Sequence, residues 1–365
     1  MPDSPRTVAL LGTGLIGASI GLALRQRAPS TEVIGADARP EAAELALSLD
    51  ALTRTASLSE SVAEADLVVL AAPLDAIPAL LKIVGDAIAP GALVTDVGSV
   101  KGPLMRTAAE VLPPTVRFVG GHPMAGAAVG GAENADALLF ENAAYVLTPP
   151  EGVDDLRAFA PEALWLVQTL GARPVILDPA RHDLIVATVS HLPQLLAVAL
   201  VAEASATGDD ALGLAAGGFR DMTRIAGSAF SMWGPILEDN QKSIIDLLDR
   251  FGGRLSALRE AVATDPASLA SLFQEAAQTR AALPTSGKGF LAPLADVVVW
   301  ADDRQGFLHG LTGAIAEAGL NLKDAELLRV REGELGTFRF GFANAADADR
   351  AVAALEAAGY RAHRR

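Results

Sequence analysis

The 365-residue chain contains no cysteine, which excludes disulfides, thiolate metal sites and a cysteine nucleophile. Positive charge is scarce: 29 lysines and arginines stand against 44 acidic residues, for a net charge of -15. That balance argues against a general affinity for nucleic acid or anionic membranes, so an anionic substrate needs a local arginine cluster. No low-complexity tract and no short-period repeat is present. The apolar residues 8–24 lack a basic lead-in and carry Gly12, Gly14, Gly17 and Gly21, so they read as strand, turn and helix rather than a signal sequence. The apolar stretch 184–201 holds Ser190, His191, Pro193 and Gln194, and is expected to be a buried helix rather than a membrane span. A cytoplasmic protein fits these absences, with no nucleic-acid or membrane partner and no metal. What the chain has is apolar mass, 51% hydrophobic residues over a length that suits two or three domains.

Residues 7–11, T-V-A-L-L, form a β-type run followed by G-T-G-L-I-G and a helical pattern with Ile16, Ile20 and Leu24 on one face. Gly12 permits a tight turn, Gly14 lets a pyrophosphate reach the backbone, and Gly17 lets the helix pack on the strand. The phosphates would sit at the helix N-terminus, where free N–H groups and the dipole favour negative charge. A second strand ends in Asp37, 20 residues after Gly17, where a carboxylate can bond the adenosine ribose hydroxyls of NAD and repel the 2′-phosphate of NADP. Arg39 leaves some room for NADP. Strand-like runs at 67–71, 93–95, 116–119, 144–147 and 174–177 continue the α/β alternation. Residues 1–178 are therefore expected to form a Rossmann-like dinucleotide-binding domain, with ligands outside the carboxyl ends of its strands.

One such end carries V-G-G-H-P-M-A-G, residues 119–126. His122 is either a proton acceptor presented at a strand end or a structural histidine in a glycine-rich turn. Pro123 favours an extended backbone at His122. Ser99, within D-V-G-S-V-K, can cap the next helix or serve as a hydroxyl partner to His122. Beyond Asp178 the pattern is nearly continuous helix to Leu283. R-H-D at 181–183 opens a long apolar helix containing S-H-L-P-Q at 190–194, and Pro193, lacking an N–H, should kink it beside His191. His191 is then either a satisfied core residue or a substrate contact. In G-G-F-R-D-M-T-R-I-A-G-S-A-F-S-M-W, residues 217–233, Arg220, Arg224 and Ser228 are spaced by four and expected on one helical face. They read either as a carboxylate clamp walled by Trp233 or as arginines paired in solvent with Asp221 or Glu238.

Taken in order, G-T-G-L-I-G, D-V-G-S-V-K, G-G-H-P-M-A-G, S-H-L-P-Q and G-G-F-R-D-M-T-R-I-A-G-S with M-W resemble the prephenate/arogenate dehydrogenase family across residues 6–285. The resemblance implies NAD-dependent oxidative decarboxylation of prephenate to 4-hydroxyphenylpyruvate in tyrosine biosynthesis. It implies that His122 is the catalytic histidine, Ser99 the serine bonded to it, and Arg224 the arginine that binds the ring carboxylate. His191, Ser228 and Trp233 would line the substrate pocket, with Gly217 a backbone contact in its gate. Family members carry polar pairs after H-P-x-x-G, where this chain has Ala127-Ala128 and then Val129. An acidic residue there would favour the amino group of arogenate, so its absence leans to prephenate. Arogenate or cyclohexadienyl dehydrogenase is the alternative within the family, and a non-catalytic sensor of NAD and amino acids the alternative outside it.

Residues 179–284 are expected to form an all-helical substrate and dimerisation domain, because their apolar stretches exceed what one layer can bury; a homodimer follows. Turn formers at 285–294 read as a linker. Residues 295–365 read as β-α-β-β-α and, through D-R-Q-G-F-L and A-G-L-N-L, resemble an ACT domain, a ferredoxin-like regulatory module. Gly306 and Asn321 match its ligand-contacting positions, which implies tyrosine as a feedback ligand. His309 and His363 are expected at the surface.

Overall fold

A computed structural model describes residues 4–126, 130–282, 294–301, 305–331 and 334–364. The chain forms two compact units, Met1–Pro266 and Ala267–Arg365. In the first, eight strands run in chain order: β1 (Thr7–Leu11), β2 (Glu32–Ala36), β3 (Arg54–Thr55), β4 (Leu67–Leu70), β5 (Leu93–Asp96), β6 (Arg117–Pro123), β7 (Ala144–Thr148) and β8 (Arg173–Ile176). They form one sheet in the order β3-β2-β1-β4-β5-β6-β7-β8. This is the Rossmann-like arrangement, in which the strand order reverses between β1 and β4 and leaves a crevice at their carboxyl ends. The strands are short apolar runs because helices cover both faces; Val8, Leu10, Val69 and Leu93 lie in one core, and Ala9, Leu11, Val68 and Val94 in the other.

Two features differ from the sequence expectation. β3 is a two-residue edge too short to leave a periodic signal. β7 runs antiparallel to β6, pairing His122 with Val146 and Pro123 with Tyr145, while β8 is parallel to β7. No helix longer than a single 3-10 turn lies between β6 and β7 among the described residues, so that link reverses the chain instead of crossing over.

From Pro179 the unit is helical. The expected distortion beside Pro193 takes the form of a π turn over Ala187–His191, inserted between helices Pro179–Val186 and Leu192–Thr207. Proline cannot supply the N–H for a regular turn, and a wide turn accommodates the loss. The following helix is not buried as expected. Within the single chain Leu192–Thr207 buries only Leu192, Gln194 and Ala197, leaving Val198, Leu200 and Val201 exposed.

In the second unit, β9 (Ala295–Ala301), β10 (Asp324–Arg331), β11 (Glu334–Phe342) and β12 (Ala362–Arg364) form an antiparallel sheet in the order β10-β11-β9-β12. Helices Phe307–Glu317 and Ala345–Ala357 complete a β-α-β-β-α-β ferredoxin-like fold. Val297, Val299, Leu311, Phe340, Phe342 and Leu355 make its core. The sequence reading lacked β12, three residues without alternation of their own that are held by pairing with β9. The linker expected at 285–294 lies, but for Leu294, outside the described residues, as do Ala127, Ala128 and Val129.

Candidate functional site

The sequence V-G-G-H-P folds as the end of β6, and its glycines are required by what packs against them. A Cβ on Gly121 would lie 2.3 Å from the Asp96 carbonyl oxygen. Only with that Cβ absent can Asp96 at the end of β5 accept the Gly121 N–H, at 3.0 Å. Lys101 returns from the following turn, donating to the Asp96 carboxylate and to the Gly121 carbonyl. Both side chains are fully buried. Burial pushes the Lys101 ammonium down from its ordinary pKa, and the Asp96 charge pushes back. Gly121, the residue just before His122, is thus held at both its N–H and its carbonyl.

His122 itself is half-buried. Its Nδ1 lies 2.8 Å from Nε2 of His182, and Nδ1 of His182 lies 2.7 Å from the Asp183 carboxylate. Asp183 also accepts the backbone N–H groups of Lys101 and Gly102, each at 2.8 Å. Those are the first free donors of helix Gly102–Val111, which has no side-chain cap of its own. One carboxylate therefore caps a helix of the sheet domain and closes a chain of two imidazoles. Burial first, then the charge of Lys101, holds His122 well below its ordinary value, so the ring is neutral at neutral pH.

Behind this chain lies His191, 2% exposed at the end of the π turn. Asn240 reaches its Nδ1 at 3.3 Å and donates to the Asp183 carbonyl at 2.8 Å. The Trp233 indole meets His191 edge-on with ring centroids 5.8 Å apart. Burial lowers His191 to about 4 against the opposing charge of Asp183.

The sequence-derived candidates divide into two groups. His122, His191 and Trp233 belong to this cluster, Trp233 through its ring contact with His191. Ser99 does not bond His122; the partner is His182, and Ser99 sits half-buried in the bend after β5 without capping the next helix. Arg220, Arg224 and Ser228 do not share one helical face. The α-helix Gly217–Thr223 stops, a 3-10 turn runs from Arg224 to Gly227, and Ser228 is extended. Thr223 bonds back to the Phe219 carbonyl, and a glycine follows within a turn, both poor continuations of an α-helix. Arg224, Ser228 and Gly217 are exposed, and neither arginine pairs with Asp221 or Glu238. Sequence reasoning missed His182, Asp183 and Asn240. R-H-D was visible as a helix opening, but nothing local shows which histidine faces β6.

The crevice fits a dinucleotide. Gly12 has φ +99, and a Cβ there would lie 2.5 Å from the Ala71 carbonyl oxygen, so this turn admits only glycine. Space is open beside Gly14, which begins helix Leu15–Arg27 without a side-chain cap and leaves its amides available to phosphate. Asp37, at the end of β2, accepts the Thr13 N–H at 2.8 Å and the Arg39 N–H at 3.0 Å. It braces the glycine turn as well as facing the crevice rim.

Two family models match consecutive parts of the chain. The nucleotide-binding domain of prephenate dehydrogenase covers residues 20–176, and the dimerization domain of prephenate dehydrogenase covers residues 178–275. The chain belongs to the prephenate dehydrogenase family. A prephenate dehydrogenase of Bacillus subtilis is 34% identical over 358 residues, 96% of each chain. The A. aeolicus prephenate dehydrogenase, solved with hydroxyphenyl propionate and NAD+, superposes with a TM-score of 0.71 at 28% identity, covering 77% of this chain and 99% of that one. The arogenate dehydrogenase of Synechocystis reaches 0.68 at 30% identity, covering 75% and 99%. The Bacillus relative therefore matches this chain nearly end to end, whereas these two solved structures, almost wholly covered themselves, match about three quarters of it.

Proposed function

We infer that the chain catalyses the NAD-dependent oxidative decarboxylation of prephenate to 4-hydroxyphenylpyruvate in tyrosine biosynthesis. The observation that carries this reading is His122 at the carboxyl end of β6, with Nδ1 engaged by His182 and, among the described residues, no hydrogen-bond partner at Nε2. A neutral imidazole so placed can take the proton of the substrate hydroxyl. NAD, when bound, supplies the hydride acceptor, and loss of carbon dioxide then restores an aromatic ring. Gly12, Gly14, Gly17 and Asp37 would hold the dinucleotide, on the fit described above. The growth of absorbance at 340 nm with NAD and prephenate tests the reaction; no growth would overturn it. Running the same assay with arogenate tests the lean to prephenate, which rests on Ala127 and Ala128.

Arg224 is assigned to the ring carboxylate, with Ser228, His191, Trp233 and Gly217 around the same substrate. Its exposure leaves the guanidinium fork available to an anion. Arg224→Ala is expected to raise KM for prephenate ~10-fold or more while kcat changes little, as loss of one charged contact of ~1.5–3 kcal/mol requires. A KM equal to that of the parent would remove Arg224 from the substrate site.

The exposed apolar face of Leu192–Thr207 is assigned to a homodimer interface, with Ile245 and Leu248 of helix Gln241–Thr264 as further exposed apolar residues of the same part. Pro179–Thr207 is long and apolar enough to span a bilayer. The π turn and the buried Asp183, His182 and His191 within it favour a protein partner over lipid. Light scattering at micromolar concentration should give a dimer; a monomer would refute this. A cytoplasmic location belongs to the same reading.

The division at 178/179, a linker at 285–294 and an ACT domain at 295–365 complete the proposal, with tyrosine as its ligand. Gly306 precedes helix Phe307–Glu317 and Asn321 follows it. An 11-residue helix is ~16 Å long, so one tyrosine touching both positions would have to sit between two copies of the module. Tyrosine inhibition that survived deletion of residues 290–365 would exclude this module as the sensor.

A further inference from the structure

The direction of the hydrogen bonds through His122, His182 and Asp183 follows from the acceptor at the end. A carboxylate only accepts, and the oxygen of Asp183 that faces His182 also takes the Lys101 N–H. His182 Nδ1 therefore carries its hydrogen toward Asp183. Nε2 of a neutral His182 is then a lone pair, so His122 Nδ1 must donate across the 2.8 Å contact. His122 Nε2 is left as a lone pair, the form a base needs. A His182 already protonated would donate instead, moving the His122 hydrogen to Nε2 and disabling it.

We propose that His182 receives, through His122, the proton that leaves the substrate hydroxyl, with Asp183 setting the direction of the chain. The proposal rests on the prephenate reading above. As the hydroxyl O–H bond breaks, a bond forms from that hydrogen to His122 Nε2. The His122 Nδ1–H bond breaks in turn, and an N–H bond forms at His182 Nε2. One proton enters and one passes on, so His122 is neutral again and the charge rests on His182 beside the Asp183 carboxylate. His182 and Asp183 are positioning residues, acting through His122. The partners suit this division, because His182 bonds the Asp183 carboxylate directly, whereas His122 sits beside buried Lys101. The other titratable or charged groups in reach are Asp96, paired with Lys101, His191 from the π turn, and Asp239 with Arg106 near Asp183.

Two measurements test it. Nitrogen-15 histidine NMR of the wild-type protein at neutral pH should show hydrogen on Nδ1 of both His122 and His182, with both Nε2 atoms bare; hydrogen on His122 Nε2 overturns the proposal. In His182→Leu, kcat should fall ~10–100-fold with KM within ~threefold. The acid limb of kcat/KM should move to lower pH, because the His122 imidazolium loses the group that takes its charge. A fall in kcat with an unmoved limb would leave His182 a packing residue only, and an unchanged kcat would remove it altogether. Should His182→Leu not fold, the wild-type spectrum still decides. A wild-type protein that fails to reduce NAD with prephenate would sink the substrate reading, while the NMR result would stand on its own.

Discussion

His122→Asn is expected to lower kcat for prephenate ~10²-fold or more with KM nearly unchanged, since it removes a group whose work is done in the transition state. Asparagine is smaller than histidine, but its amide nitrogen can take the place of Nδ1 and still meet His182. It has no nitrogen lone pair able to take a proton, so the hydroxyl proton would pass to water. The β6 backbone should stay in place, because Gly121 is held by Asp96 and Lys101 and not by the imidazole. Steady-state kinetics with prephenate and NAD checks this, with substrate binding followed separately by fluorescence or calorimetry. A kcat within a few-fold of the parent would mean that another base carries the reaction.

The second large effect concerns stability. Lys101→Met should destabilise the Met1–Pro266 unit by ~3–5 kcal/mol, the usual cost of leaving one partner of a buried ion pair without the other. Methionine fills much of the same aliphatic volume, so packing loss is minor. What remains is Asp96, fully buried and still bonded to the Gly98 and Gly121 amides but without its counter-charge. Adding Asp96→Asn should recover part of the loss, because a neutral amide keeps one acceptor and carries no buried charge. Urea denaturation of parent, single and double variants measures both quantities. A midpoint for Lys101→Met equal to that of the parent would show that the pair contributes nothing.

Much of the dinucleotide half was legible because its signals are local. A glycine at φ +99, a run of strand residues and an acid at the next strand end each leave their mark within a few positions of one another. His122 was legible for the same reason: glycines and a proline beside one imidazole describe a strand end closely packed on its neighbours. The shared helical face of Arg220, Arg224 and Ser228 was misread because a spacing of four is meaningful only while the helix continues, and the chain changes to a 3-10 turn at Arg224. The bond expected between Ser99 and His122 is not formed: a hydroxyl near a strand end is an available partner in sequence, but an imidazole 60 residues further on takes Nδ1.

The amino-acid order by itself determined the class of protein: the α/β alternation, the glycine turn with its acid, and the change to helix after Asp178. Each of these depends on neighbours a few residues apart, where steric limits and periodicity operate. Only the tertiary structure decided which groups meet His122. His182 and Asp183 come from a helix, Lys101 and Gly102 from a turn, and His122 from a strand, and their contact depends on how those elements pack. Hydrogen bonds act over about 3 Å, a distance that chain position does not encode for residues so far apart in the sequence.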